Sequence, residues 1–115
     1  MEVKSTNAAD ETITFEKGKL ELVNVGGTTV GRAVFQPGWR WSTSVKPLVK
    51  TRSCEVRHLW CQVSGTLHVV MNDGTERDIK AGDVALIPPG HDGWVVGNQP
   101  VVAIDPQGYN KQSAK

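Results

Sequence analysis

Short runs rich in β-branched and aromatic residues recur along the chain, and each is closed by a turn signal. The runs are Lys19–Val25, Thr29–Gln36, Val56–Val63, Thr66–Met71, Arg77–Lys80, Val84–Pro88, Trp94–Val96 and Val101–Asp105. Between them lie Gly26-Gly27, Pro37-Gly38, Ser64-Gly65, Asn72-Asp73-Gly74, Ala81-Gly82, Pro88-Pro89-Gly90 and Gly97-Asn98. Glycine, Asn and Asp supply the positive φ angles of tight hairpins, so neighbouring strands are expected to pair antiparallel. Many short strands at even spacing, with no helical period competing, predict an all-β barrel or sandwich. The stretch Ser42–Ser53 is the exception: a longer polar connection containing Pro47, read as a loop at the barrel mouth or a short edge strand. Residues 1–14 and 107–115 are polar and are expected to be loose or docked at an edge, which leaves 15–106 as one barrel domain.

Alternation sorts the faces. In Val56–Val63 one face carries Val56, His58, Trp60 and Gln62, and the other Arg57, Leu59, Cys61 and Val63. Polar groups beside a tryptophan are unusual for a dry core and natural for the lining of a cavity. Trp39 and Trp41 likewise share a face, opposite Arg40, and either wall a ligand pocket or pack in the core. The bend Pro88-Pro89-Gly90 delivers His91 on a stiff mount, because two prolines fix their φ angles and glycine frees the next.

Composition narrows the function classes. At 115 residues the chain makes one domain, and 13 basic against 12 acidic residues leave a net charge of +1 with no run of either sign. That balance argues against a nucleic-acid partner and favours a small ligand or a protein. No apolar run approaches a membrane span and no apolar leader opens the sequence, so a soluble, cytoplasmic protein is expected, with no membrane partner. Two cysteines, Cys54 and Cys61, form neither a disulfide framework nor a C-x-x-C pair, and reduced thiols are expected.

The segments Cys54-Glu-Val-Arg-His58-Leu-Trp-Cys-Gln-Val-Ser-Gly65 and Gly82-Asp-Val-Ala-Leu-Ile-Pro88-Pro-Gly90-His91 resemble the two motifs of the cupin superfamily. The likeness spans residues from about 34 to 105 and rests mainly on the glycines, the proline and the Asp73-Gly74 hairpin between the motifs. With Pro-Gly-Trp-Arg-Trp-Ser upstream, the layout is similar to that of small single-domain bacterial cupins. The resemblance implies an antiparallel double-stranded β-helix, or jelly-roll, barrel, often dimeric and often metal-dependent. The ligand slots depart from the family pattern. Counting back from Gly65, His58 stands where cupins usually carry glutamate, Cys54 and Arg52 where they carry histidines, and Gly93 fills the second motif's histidine slot, with His91 two positions earlier.

Candidate metal ligands are therefore His58, His91 and Cys54, whose imidazole and thiolate donors suit Zn, Fe or Ni. Alternatively Cys54 is a small buried hydrophobe and the histidines hydrogen-bond across the barrel. His68 faces outward if Leu67, Val69 and Met71 face the core; otherwise it is a fourth ligand. Asp92 is a candidate general base, or closes the bend as an Asx-turn. Trp60, Gln62, Trp94, Trp39 and Trp41 are the candidate ligand-binding residues. Trp94 follows His91 by an odd interval and faces the same way only if the strand bends at Gly93. Two functions are expected: a metal-dependent dioxygenase, isomerase or lyase acting on a small organic molecule, or a non-catalytic binding or sensory module. A homodimer is expected in either case, since it covers exposed sheet edges.

Overall fold

A computed structural model describes residues 1–46 and 57–106. Nine strands account for most of them: β1 (Glu11–Phe15), β2 (Gly18–Val25), β3 (Thr28–Phe35), β4 (His58–Ser64), β5 (Thr66–Met71), β6 (Glu76–Lys80), β7 (Val84–Ile87), β8 (His91–Val96) and β9 (Val101–Asp105). They form a six-stranded sheet in the order β1-β2-β3-β9-β4-β7 and a three-stranded sheet in the order β6-β5-β8. Every pairing is antiparallel. The two sheets face each other, and the apolar residues between them, among them Ala33, Phe35, Trp60, Leu67, Val69, Ile79, Ile87, Val95, Val101 and Ala103, form one core.

The turns act as their composition requires. Gly26 and Gly27 both hold positive φ, 60° and 77°, and connect Val25 to its partner Thr28 across a two-residue hairpin loop. Gly65 (φ 74°) moves the chain from β4 in one sheet to β5 in the other, and a side chain there would strike the Pro100 carbonyl and the Val101 backbone. Just before it, the β4–β9 register shifts between Gln62 and Ser64. Gln62 braces that irregularity: its amide donates to the Ser64 carbonyl (3.2 Å) and the Gly65 carbonyl (3.1 Å).

Residues Glu11–Phe15 form the outer strand of the larger sheet, the edge-docked alternative for this segment, with pairing that begins ahead of residue 15; their alternation is mostly polar because an edge strand buries little. Two features differ from expectation. Strand β8 begins at His91, directly after the bend, not at Trp94, because Gly90 (φ 91°) completes the turn. At the start of the stretch Ser42–Ser53, read as a loop or a short edge strand, Trp41–Ser44 makes one helical turn, α1, too short to leave a periodic signal, and residues 47–53 of that stretch lie outside the described residues. No helix among the described residues is long and apolar enough to cross a membrane.

Candidate functional site

Two histidines meet between the sheets. His58 opens β4 and His91 opens β8; both are buried, and their ring centroids lie 5.4 Å apart with planes at 64°. Each ring is anchored through Nδ1. His58 Nδ1 bonds Asp105 Oδ2 at 2.8 Å, and His91 Nδ1 bonds the Pro88 carbonyl oxygen at 2.8 Å. Carboxylate and carbonyl oxygens only accept, so Nδ1 carries the proton on each ring. In a neutral imidazole the lone pair then resides on Nε2. The stiff Pro-Pro-Gly bend thus both delivers His91 and supplies the oxygen that sets its tautomer.

Asp105 is the site residue that the sequence reading missed. It ends β9 in phase with Val101 and Ala103, is 1% exposed, and meets His58 from a position 47 residues away in sequence. A carboxylate this deep requires a partner, because an isolated buried charge is costly.

The remaining interior residues extend the site as a row of rings. Trp60 packs edge-on to His58 at 5.4 Å; Phe35 lies 6.0 Å beyond Trp60 with planes at 20°; Trp39 stacks on Phe35 at 3.7 Å and 3°. Trp41 is buried in the same core. Gln62 faces inward as expected, but its amide is committed to the protein: Oε1 accepts from Trp60 Nε1 at 2.7 Å while the nitrogen holds the two carbonyls at the bulge. It positions Trp60 rather than presenting a free group to a ligand.

Two candidates lie on the other side of the sheet. Because β8 runs regularly from His91, the even positions Asp92 and Trp94 point outward, and Gly93 does not reverse the parity. Asp92 accepts from the backbone N–H of Ser42 (3.1 Å) and Gly93 (2.8 Å) and pairs with Arg40 at 3.5 Å, so it ties α1 to the barrel instead of facing His91 as a general base. Trp94 lies under the Arg40 guanidinium (4.3 Å) and beside His68 (4.7 Å). His68 also points outward, with Nδ1 2.5 Å from Asp78 and Nε2 3.1 Å from Glu76, away from the two buried histidines. Cys54 and Arg52 fall outside the described residues; Cys61 is a free thiol on the outer face of β4.

With this geometry in place, comparison with known proteins identifies the architecture. A cupin 2 conserved barrel protein from Salinispora arenicola superposes with a TM-score of 0.60 at 18% identity, covering 98% of this chain and 92% of its own. The fold is the cupin barrel. Two further cupin-like neighbours carry named activities. The polyketide cyclase RemF from Streptomyces resistomycificus matches with a TM-score of 0.61 at 15% identity over 92% of this chain and 79% of its own. Oxalate decarboxylase from Bacillus subtilis matches with a TM-score of 0.58 at 21% identity over 86% of this chain and 27% of its own. No protein-family model matches the sequence, and no curated protein does. At these identities the likeness is one of fold.

Mn(II) centres are described for the oxalate decarboxylase of Bacillus subtilis. The described residues contain no group of three His, Cys, Asp or Glu side chains placed to hold an ion. They do contain two imidazoles with the Nδ1 anchoring that ligating histidines ordinarily have, one on a carboxylate and one on a backbone carbonyl. His58 and His91 thus have the donor chemistry of two metal ligands, and the described residues supply no third.

Proposed function

We propose that this cupin barrel is a metal-dependent enzyme, of lyase, isomerase or dioxygenase type, acting on a small organic molecule held between the sheets. The observation that carries the reading is the pair of buried imidazoles 5.4 Å apart, each anchored through Nδ1 to an oxygen of the protein. Nitrogen donors of this kind suit Zn, Fe or Ni, and the oxalate decarboxylase of Bacillus subtilis, a structural neighbour, has Mn(II) centres. The bound ion would supply Lewis-acid or oxygen-activating chemistry. The chain's own contribution is orientation: Asp105 fixes His58, Pro88 fixes His91, and Trp60, braced by Gln62, walls the space beside them. The non-catalytic alternative, a binding or sensory module, uses the same interior without turnover.

A second reading draws on Asp105. A buried carboxylate on His58 Nδ1 also orients an imidazole for proton transfer at Nε2, with no metal involved. Metal analysis of untagged protein separates the two. The metal reading expects about one ion per chain in the wild type and at least a tenfold loss in His58→Ala and in His91→Ala. Wild-type protein that purifies metal-free, and whose melting midpoint is unmoved by Zn²⁺, Fe²⁺ or Ni²⁺, would sink it. Turnover that persists without metal but vanishes in His58→Ala would establish the acid–base reading instead.

A homodimer is part of the proposal. Val63 on β4 and Val84 and Leu86 on the edge strand β7 are more than half exposed, and a second copy would cover them. Light scattering on wild type and Leu86→Glu tests this, with a monomeric wild type as the contrary result.

A further inference from the structure

Two of the buried indoles, Trp60 and Trp39, differ in one respect. Trp60 Nε1 donates to Gln62 at 2.7 Å, whereas Trp39 Nε1 is fully buried and has no hydrogen-bond partner among the described residues. A buried N–H left without an acceptor is destabilising, and phenylalanine at position 39 would keep a stacked ring without that cost. Trp39 has little freedom to relieve it. Its ring lies flat on Phe35 at 3.7 Å, its backbone N–H donates to Gln36, and its carbonyl accepts from Val95.

We propose that Trp39 Nε1 is the donor that holds a carbonyl oxygen of a neutral, largely apolar ligand inside the barrel. The inference rests on the reading of this interior as a small-molecule site and specifies what the molecule carries. Neutrality follows from the surroundings. The rings against Trp39 are Phe35 and Phe15, the neighbouring Arg40 is turned outward onto Trp94, and Lys17, which reaches Gly38, is exposed. A carboxylate at the indole would be desolvated with no cation stacked on the ring among the described residues. Trp39 begins the row of rings that continues through Phe35, Trp60 and His58 to His91, so a ligand lying along the row has an anchor at one end and the histidine pair at the other.

The test uses ¹⁵N-labelled full-length protein titrated separately with acetophenone, ethylbenzene and benzoate, with the Trp39 indole resonance assigned by its loss in Trp39→Phe. Acetophenone is expected to shift that resonance saturably and to bind Trp39→Phe about two- to tenfold more weakly, while ethylbenzene binds both proteins equally. An unmoved Trp39 resonance, or equal acetophenone affinity in the two proteins, overturns the proposal; preferential binding of benzoate overturns the neutral-carbonyl assignment. Should Trp39→Phe fold poorly, the wild-type titration decides alone, because assignment then comes from triple-resonance spectra. Metal content is measured on the same samples. Metal-free protein whose Trp39 resonance responds to acetophenone refutes the metal reading and leaves this one standing; metal-loaded protein with a silent Trp39 does the reverse.

Discussion

Asp105 gives the most demanding test of the site. Its carboxylate is 1% exposed and 2.8 Å from His58 Nδ1, whose ring is itself buried. In Asp105→Ala the His58 Nδ1–H loses its acceptor inside the barrel, which alone costs about 1–3 kcal/mol, and breaking a buried pair from one side typically totals about 3–5 kcal/mol. For a domain of this size such a loss lowers the melting midpoint by more than about 10 °C. Asp105→Asn keeps an acceptor oxygen of the same shape but not the charge, so it should cost only about 1–2 kcal/mol. Replacing both partners, as in His58→Leu with Asp105→Leu, removes donor and acceptor together and should recover much of the loss. Urea unfolding of His58→Leu, Asp105→Leu and the double variant measures the coupling. A coupling energy below about 0.5 kcal/mol, or an Asp105→Ala protein as stable as the wild type, would refute the reasoning that this pair organises the interior.

Other outcomes follow from the same geometry. Gly65→Ala forces a Cβ into the Pro100 carbonyl at positive φ and should destabilise by about 2–4 kcal/mol, seen in the urea midpoint; a neutral result would contradict the close approach of β4 to residue 100. Trp94→Ala removes the ring under Arg40 and beside His68, should cost about 1–2 kcal/mol, and should leave metal content unchanged because its side chain is outside the barrel. The Asp10 carboxylate is held below its ordinary value chiefly by the backbone N–H of Asn24, and that of Asp73 chiefly by the N–H of Thr75. A carboxyl depressed in the folded state contributes stability that is whole above its unfolded value and is lost as pH falls through the folded one. Asp10→Asn should therefore lower stability at neutral pH and flatten its fall below about pH 4, measured as melting midpoint against pH.

The architecture was legible because turn chemistry is local. Glycine pairs and Asn-Asp-Gly set hairpins wherever they occur, and the inward face of β4 follows from alternation alone: His58, Trp60 and Gln62 are all buried, while Val63 is exposed. His68 was equally readable, since Leu67 and Val69 face the core on either side of it. Asp92 and Trp94 were not, because their direction depends on where β8 starts, and a shift of one residue turns every side chain over. The Gly90 turn starts it at His91, which sends the histidine in and its two even-numbered followers out. Asp105 was hidden differently. Its phase with Val101 and Ala103 was visible, but a single acidic residue at a strand end reads as solvated until the partner strand is known, and that strand is β4, far away in sequence.

One strand thus separates two polar systems that the sequence places side by side. On the inner side of β8, His91 stands with His58 and Asp105; on the outer side, Asp92 and Trp94 stand with Arg40, Ser42 and His68. The outer set fastens α1, and with it the chain leading from Trp39, to the barrel: Asp92 takes the Ser42 N–H, and Arg40 bridges onto Asp92 and Trp94. Trp39 also takes a backbone bond from Val95 on the same strand. Loosening the outer set should therefore reach the interior through the placement of Trp39, not through the histidines. In Asp92→Ala any metal bound at the His58–His91 pair should be retained, while any ligand held at Trp39 should bind more weakly. The opposite pattern, metal lost and ligand affinity unchanged, would place Asp92 in the chemistry after all, despite its position on the far face of the strand.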